Sequence, residues 1–272
     1  MKAESNLNWP TFGELKDSQP LWYYAAGFNF AVLAFCLVAG IFDERTLNGV
    51  SVWSKPVKFG LSIGLYFITL VWFATFLSRE TLTGTAGKTL VAIPLVAGVT
   101  EMVYIAIMAS LGQASHFNLS SGFTSIMYSL MGVGAAAMVL VLPWLGYLIA
   151  RQNPMTNPLI LAIVAGLCVT CVLGGGFGSY LGGQDGHWVN ASRTDASGVW
   201  LFNWATDGGD LRVAHFFGMH AMHAFPIFAL LLPNNWGQPT KLLLLSGFMA
   251  VYTAFSVATF IQALNGQAFL PG

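Results

Sequence analysis

The chain has 272 residues, of which 56% are hydrophobic and only 8% carry a charged side chain. Because about a quarter of the residues in an ordinary soluble domain are charged, this composition excludes a typical soluble fold. The 11 basic and 11 acidic residues give a formal net charge of zero, so we expect no nucleic-acid partner. The three cysteines lie inside apolar blocks, and the sequence therefore predicts no disulfide framework.

The apolar residues fall into blocks long enough to cross a bilayer, which takes about 20 residues of helix. Residues 1–20 are polar, and the first apolar block, 21–41, is followed by an acidic pair rather than by a signal-peptide cleavage site. We interpret it as a retained first span. The other predicted spans are 56–78, 89–112, 122–150, 157–181, 211–233 and 240–264. The sequence thus predicts an all-α polytopic membrane bundle, with residues 21–272 forming one seven-helix domain.

Two further features concern how the bundle is assembled. Glycines recur at four-residue spacing, at Gly60 and Gly64 and again at Gly174, Gly178 and Gly182. This spacing lets helices approach closely in lipid, so it indicates helix packing. The connection 182–210 is too long for a tight turn, and we expect it to fold over one face of the bundle as a capping loop.

The distribution of lysine and arginine predicts the orientation of the bundle. Six lie on the side of the N-terminus: Lys2, Lys16, Arg79, Lys88, Arg151 and Lys241. Five lie on the other side, and three of these, Lys55, Lys58 and Arg212, belong to polar clusters at helix starts. When these three are set aside, six cations on the side of the N-terminus face two on the other side. This excess predicts a cytoplasmic N-terminus and a C-terminus outside.

Three polar segments, 53–59, 113–118 and 209–215, fall on the face opposite the N-terminus. Rare polar residues gathered on one face indicate a functional site, and an ordinary polar rim with salt bridges is the alternative. The candidate groups for binding a substrate or an anion are Lys55, Lys58, His116, Asn118, Asp210 and Arg212.

Two helix starts in these segments carry cations at the positive end of the helix dipole, where cations are disfavoured. We expect Ser54 to cap the second span and Asp210 to cap the sixth. The cations behind these caps should be compensated by an internal acid or by a bound phosphate or carboxylate. The acids on this face are Asp185, Asp207 and Asp210, and we expect Lys55, Lys58 and Arg212 to gather near Asp207 or Asp210.

The sixth span carries a stripe of histidines, His215, His220 and His223, and the third span contains an acid, Glu101. Glu101 lies about 18 Å and His223 about 20 Å below the same ends of their helices. We therefore predict that Glu101 pairs with His223 or His220, that these three residues are catalytic, and that Glu101 and the stripe line one cavity opening toward His116.

The same histidines could hold a metal. Imidazole with a carboxylate suits zinc or iron, and adjacent methionine sulfur suits copper, so His215, His220 and His223 are the candidate ligands. Their spacing matches no standard metal motif, and haem fits less well because no facing helix supplies a second buried histidine. A proton relay and a polar surface for a substrate are the alternatives.

A resemblance to known proteins rests on three segments: Trp53-x-Lys55-Pro56-x-Lys58-Phe59, Ser115-His116-Phe117-Asn118 and Gly209-Asp210-Leu211-Arg212-x-Ala214-His215-Phe216. They resemble a group of bacterial polytopic membrane proteins without an assigned function. This resemblance implies the same spans and a bacterial cytoplasmic membrane, but no reaction. The chain is more loosely similar to the seven-span zinc hydrolases that include ceramidases and adiponectin receptors. Its seventh span lacks their His-x-x-x-His pair, so their zinc and activity are not implied.

Three classes of function remain open. The first is a metal-assisted or acid–base membrane enzyme acting on a lipid or small hydrophobic molecule. The second is a proton-coupled transporter or channel, which the lack of an internal repeat weakens. The third is a cofactor-binding subunit of a larger membrane complex. The expected partners are the lipid bilayer and a small hydrophobic or anionic ligand.

Overall fold

The structure, a computed structural model, describes residues 10–272. Its helices are α1 (Phe12–Ser18), α2 (Pro20–Phe42), α3 (Ser54–Ala74), α4 (Arg79–Thr83), α5 (Thr85–Ser110), α6 (Gly122–Gln152), α7 (Pro158–Val169), α8 (Gly175–Gly182), α9 (Leu211–Leu231) and α10 (Gln238–Leu264). A π-helical turn, Thr170–Gly174, joins α7 to α8. The first nine residues of the predicted polar segment, including Lys2, lie outside the described residues.

Four two-residue strands form two small antiparallel ladders. They are β1 (Thr46–Leu47), β2 (Val50–Ser51), β3 (Trp188–Val189) and β4 (Gly209–Asp210). Strand β1 pairs with β2 in the connection between α2 and α3, and β3 pairs with β4. The second ladder therefore joins the two ends of the connection between α8 and α9.

Within the described residues, seven helical segments are long and apolar enough to cross a membrane: α2, α3, α5, α6, the continuous α7–α8 segment, α9 and α10. The predicted all-α polytopic bundle is therefore confirmed. The predicted ends of the spans agree with the helices to within four residues. The largest differences lie where α3 ends and α5 begins, because the short helix α4 between them is separately capped by Ser78.

The helices pack in a connected series. Helix α2 packs against α3 and α5, α5 packs against α6, and α6 packs against α7. Helix α9 lies against α7, α8 and α10. Buried hydrogen bonds join neighbouring helices: the Trp22 indole donates to the Val91 carbonyl at 3.1 Å, and the Tyr66 hydroxyl donates to the Met138 carbonyl at 2.8 Å. Such bonds satisfy polar atoms that lipid could not hydrate.

Helix α9 approaches the π-helical turn closely because glycines meet at the contact. A Cβ atom added to Gly218 would lie 2.7 Å from the backbone nitrogen of Gly174, and one added to Gly174 would lie 2.7 Å from the Met219 sulfur. A Cβ atom on Gly178 would lie 2.7 Å from the His215 ring. Gly174 and Gly178 therefore serve helix packing, as their spacing predicts, whereas Gly182 makes no such close approach.

The two predicted helix caps have different outcomes. Asp210 precedes α9, and its carboxylate accepts a hydrogen bond from the Arg212 N–H at 3.0 Å, so this cap is confirmed. The predicted cap at Ser54 is wrong. Helix α3 already includes Ser54, and Trp53 occupies the cap position without a side-chain bond. The Ser54 hydroxyl instead lies 3.4 Å from the Asn203 side-chain oxygen.

Candidate functional site

The residues of the connection between α8 and α9, 183–208, are called here the cover segment, and they contact the ends of several helices. The Asp195 N–H donates to the Asn48 carbonyl at 2.9 Å, which ties the segment to the turn between β1 and β2. Lys58, in the first turns of α3, donates to the Phe202 carbonyl at 3.0 Å. The segment therefore lies against the starts of both α3 and α9.

The cover segment takes part in a group of paired charges, called here the closed cluster: Lys58, Asp195, Asn203, Asp210 and Arg212. The Arg212 guanidinium donates to Asp210 at 2.7 Å, to Asp195 at 2.9 Å and to the Asn203 carbonyl at 2.5 Å. Lys58 also donates to the Asn203 side-chain oxygen. Each charged group in this cluster thus has a partner inside the protein.

These contacts partly confirm the expected charge compensation. Arg212 does pair with Asp210. Asp207 does not take this role, because its carboxylate accepts from the Ser192 N–H at 3.0 Å. The second partner of Arg212 is Asp195, which the sequence does not distinguish from Asp185. Its pairing depends on how the cover segment folds, and no local pattern reports that.

His187 extends the closed cluster within the cover segment. Its Nε2 lies 3.2 Å from the Asp195 carboxylate, and its ring centroid lies 3.7 Å from that of Trp188. Burial lowers the pKa of His187, against the opposing effect of the Asp195 bond. Burial acts to raise the pKa of Asp195, but the His187 bond and the Arg212 charge outweigh it and hold that pKa below its ordinary value. At neutral pH the cluster therefore holds a neutral histidine beside an ionised acid.

A second polar group, called here the open cluster, consists of Lys55, Glu101 and His116. Glu101 is only 8% exposed, and its carboxylate lies 3.9 Å from Nε2 of His116. That distance is too long for a hydrogen bond. Lys55 interacts electrostatically with both Glu101 and His116, and its ammonium lies 5.7 Å from the centroid of the Phe59 ring. Among the described residues, neither Lys55 nor Glu101 makes a side-chain hydrogen bond.

Tyr104 carries an unsatisfied hydroxyl elsewhere on α5. The side chain is 7% exposed, and its buried oxygen has no hydrogen-bond partner within the described part of the chain. It lies about one turn beyond Glu101 on α5 and packs with Met108, Met131 and Phe59.

The position of His116 overturns the predicted pairing of Glu101 with His223 or His220. Helix α5 ends at Ser110, Gly112 adopts φ of 68°, and the Gln113 N–H bonds back to the Met108 carbonyl at 2.9 Å. The chain therefore folds back over the helix end and brings His116 toward Glu101. His116, which follows the end of a span in the sequence, therefore lies beside Glu101. The prediction had placed a histidine from deep within α9 there.

The surroundings of His116 keep its ring neutral. Burial lowers the pKa of His116 well below its ordinary value, and the nearby charge of Lys55 lowers it further. The Ser115 hydroxyl lies 3.1 Å from Nδ1 of the ring, and the Phe59 ring packs against it at a centroid distance of 5.4 Å. A neutral imidazole can accept or donate a proton, depending on its tautomer.

The histidines of α9 have partners other than Glu101, and His223 interacts with the Leu65 backbone of α3. Nδ1 of His215 is 2.9 Å from the Gly174 carbonyl, and the Nδ1 atoms of His220 and His223 are 3.2 Å apart. Helix α9 packs against α7, α8 and α10, whereas α5 packs against α2, α3 and α6. This arrangement gives no support to one cavity shared by Glu101 and the stripe.

The structure gives equally little support to the predicted metal site. No group of three or more His, Cys, Asp or Glu that could hold a metal ion occurs among residues 10–272. Asn118, a predicted ligand-binding residue, bonds within its own loop: it donates to the Ala114 carbonyl at 2.9 Å and accepts from the Ser120 hydroxyl at 2.6 Å. Its amide therefore has a local structural role.

Comparison with known proteins does not supply a function. No protein-family model, no curated protein and no solved structure matches the chain. A helical membrane bundle can host many activities, so function has to be argued from the site. What the fold and its seven apolar helices do identify is an integral membrane protein of the all-α class.

Proposed function

We propose that this membrane protein binds a small, membrane-soluble molecule at the open cluster and exchanges a proton with it through Glu101 and His116. The observation that carries the proposal is the contrast between two neighbouring sets of charges. The closed cluster satisfies its charges internally, whereas the side chains of Lys55 and Glu101 make no hydrogen bond among the described residues.

The energetic argument starts from the cost of leaving such groups unpaired. A buried polar group without a hydrogen bond costs about 1–3 kcal/mol by mutational data, and a buried charge costs more. Ionisable groups inside membrane spans are therefore functional by default. A ligand that supplied the missing bonds would recover this free energy on binding.

Each group has a defined part in the proposed chemistry. Lys55 donates hydrogen bonds to oxygen atoms of the ligand and fixes its position. Glu101 accepts a proton or a hydrogen bond from a ligand hydroxyl. His116, whose neutral ring lies 3.9 Å from Glu101, passes the proton onward. A ligand atom or a water between the two side chains would bridge the present distance.

The predicted orientation assigns the site to a membrane face. With the N-terminus in the cytoplasm, the start of α3 and the end of α5 would both lie at the outer face. The site would then exchange protons with the solution outside the cell. Its ligand would enter either from the outer leaflet of the membrane or past the cover segment.

Retention of a bound molecule tests this proposal. Full-length protein is extracted in a mild detergent, and molecules that remain bound are identified by native mass spectrometry. We expect wild type to retain a small molecule that Lys55→Gln and Glu101→Gln both lose. The matched controls are Lys88→Gln and Glu80→Gln, which change exposed residues near the other end of the bundle and should retain it.

A second candidate, proton-coupled transport, is favoured by a separate observation. The π-helical turn Thr170–Gly174 contacts α9 beside His215, and such turns occur frequently at functional sites. Loss of the retained molecule in His223→Ala, with full retention in Glu101→Gln, would favour this candidate and contradict the proposal for the open cluster.

A further inference from the structure

We infer that Trp200 and Leu201, called here the apolar tip, insert into the interfacial layer of the lipid bilayer and anchor the cover segment to the membrane. These two large hydrophobic side chains are 87% and 48% exposed. The next aromatic residues, Phe202 and Trp204, are covered and stack on each other, so the exposure is confined to the tip. This anchoring does not require a ligand in the open cluster, and it therefore stands apart from the proposed function.

The backbone around the apolar tip is closed by its own hydrogen bonds. The Val199 N–H donates to the Trp204 carbonyl at 2.8 Å, and the Asn203 N–H donates to the Val199 carbonyl at 2.7 Å. Leu201 adopts φ of 70°, a left-handed conformation that is unfavourable for a bulky residue and is often found at functional sites. The fold therefore holds the tip outward at a cost, although burying these side chains against the protein would be favourable.

The contacts of the neighbouring residue Asn203 place the tip at the level of the membrane surface. Its side-chain oxygen lies 3.4 Å from the Ser54 hydroxyl and accepts a hydrogen bond from Lys58. Ser54 and Lys58 are the first and fifth residues of α3, so they span about 6 Å of helix before its apolar part begins at Phe59. The interfacial layer on each side of the hydrocarbon core is about 5–7 Å thick. Leu201, two residues from Asn203, therefore lies in or beside this layer.

Helix α9 gives the same level independently. The Asn203 carbonyl accepts a hydrogen bond from Arg212, the second residue of α9. The Phe202 ring packs edge-on against the Phe216 ring, with 5.2 Å between centroids, and Phe216 is the sixth residue of α9. The residues that follow the tip are thus fixed between the first turns of two membrane-spanning helices.

The chemistry of the apolar tip favours lipid over a protein partner. Tryptophan is enriched where membrane meets water, because its ring is apolar and its N–H can bond headgroups or water. A stable protein interface buries about 800 Å² on each partner, which is much more than two side chains supply. Lys58 and Arg212 are already paired within the closed cluster, so the tip needs no lipid charge and should insert into neutral phospholipid.

Depth measurements with a nitroxide spin label test this inference. The label is attached to Leu201→Cys, which keeps Trp200, in full-length protein whose Cys168 and Cys171 are replaced by alanine. Cys36 is fully buried and stays unlabelled. In nanodiscs of phosphatidylcholine, collisions of the label with oxygen, which concentrates in lipid, are compared with collisions with a water-soluble nickel chelate. We expect oxygen collisions to exceed nickel collisions at position 201.

Ser197→Cys is the matched control in the same segment. Ser197 is exposed, and its neighbour Ala196 contacts Gly49 in the turn between β1 and β2, beyond the start of α3. A label there should collide more with nickel than with oxygen. The same excess of nickel collisions at position 201 would place the tip in water and overturn the anchor. Weak collisions with both probes at position 201 would place the tip against protein, which also contradicts insertion into lipid.

A second variant tests whether Trp200 itself anchors the segment. Trp200→Ser, introduced into the protein labelled at position 201, should shift the ratio of collisions toward nickel because the tip loses its larger apolar side chain. Trp200 is mostly exposed, so this change removes little packing and should leave the fold intact. An unchanged ratio would mean that the tip does not depend on Trp200 for its depth, and the anchor would be rejected.

Discussion

Lys55 and Lys58 lie about one turn apart at the start of α3, yet they belong to different kinds of environment. Lys58 donates to a backbone carbonyl and to the Asn203 side chain, both in the cover segment. Lys55 has the Phe59 ring near it, and it interacts only electrostatically with Glu101 and with the charges of Asp195 and Arg212. The comparison teaches that a concentration of charge does not by itself mark a functional site. What distinguishes a site is whether the partners of the charges are already present in the protein.

The two clusters also differ in where their residues come from. The closed cluster joins α3 and α9 to a long irregular connection, and its bonds hold that connection in place. The open cluster joins α3 and α5 to the short connection between α5 and α6, with no bond that the fold requires. The first arrangement contributes to stability, and the second leaves bonding capacity for a ligand. Three substitutions or changes of condition would break or sharpen this distinction.

The largest expected effect is that of Arg212→Ala. Loss of the guanidinium leaves Asp210, whose side chain is fully buried, and Asp195 without their partner. Removing one member of a buried ion pair costs about 3 kcal/mol. We expect a marked fall in melting temperature in detergent and faster tryptic cleavage after Arg193 in the cover segment, measured at pH 8.

Arg45→Ala is the matched control for that change. Arg45 pairs with Asp43 at 2.6 Å, but its side chain is 52% exposed, against 24% for Arg212. An exposed ion pair contributes at most about 1 kcal/mol. Equal losses of stability in the two variants would show that the closed cluster is no more than a surface rim.

A smaller effect is expected from acidification. Burial lowers the pKa of His187 below the value of about 6.5 that it has in an unfolded chain. Below that pH the unfolded chain binds more protons than the folded one, so the free energy of unfolding falls as pH drops. Asp195 does not oppose this, because its pKa is also lowered and it stays ionised between pH 7 and pH 5.

Hydrogen exchange measured between pH 7 and pH 5 tests this expectation. After correction for the intrinsic effect of pH on exchange, the cover segment should exchange faster at pH 5 in wild type. The acceleration should be smaller in His187→Gln, which cannot take up the proton. Equal acceleration in both proteins would mean that His187 does not hold the segment.

Much of the fold follows from the sequence because the information for it is local. A block of about 20 apolar residues specifies a membrane span wherever it occurs. Asp210 caps α9 through a bond to a residue two positions away. The glycines that allow close helix packing can likewise be predicted from their spacing. Gly174 and Gly178 lie on the face of the fifth span that α9 contacts.

The site depends on contacts that are distant in sequence, and there the sequence is a poorer guide. From the rise per residue along each helix, we predicted Glu101 at the same depth as His223. The backbone turn at Gly112 instead brings His116 close to Glu101. Asp195 reaches Arg212 only through the path of the cover segment. Glu101 and Lys55 were identifiable as candidates because their types are rare in spans, whereas their grouping required the structure.

The smallest expected effect belongs to Glu101→Gln, and it separates the two clusters most directly. The Glu101 carboxylate makes no hydrogen bond among the described residues, so its neutral isostere loses none. The change removes the electrostatic partner of Lys55, and the avoided cost of burying a carboxylate offsets that loss. We expect the free energy of unfolding, measured by denaturation in mixed micelles, to stay within about 0.5 kcal/mol of wild type.

Asp195→Asn is the matched change in the closed cluster. It weakens bonds to Arg212 and His187 and should cost about 2 kcal/mol or more. If Glu101→Gln proved as destabilising as Asp195→Asn, Glu101 would be part of the structural framework, and the open cluster would be an ordinary polar rim that happens to lie deep in the bundle.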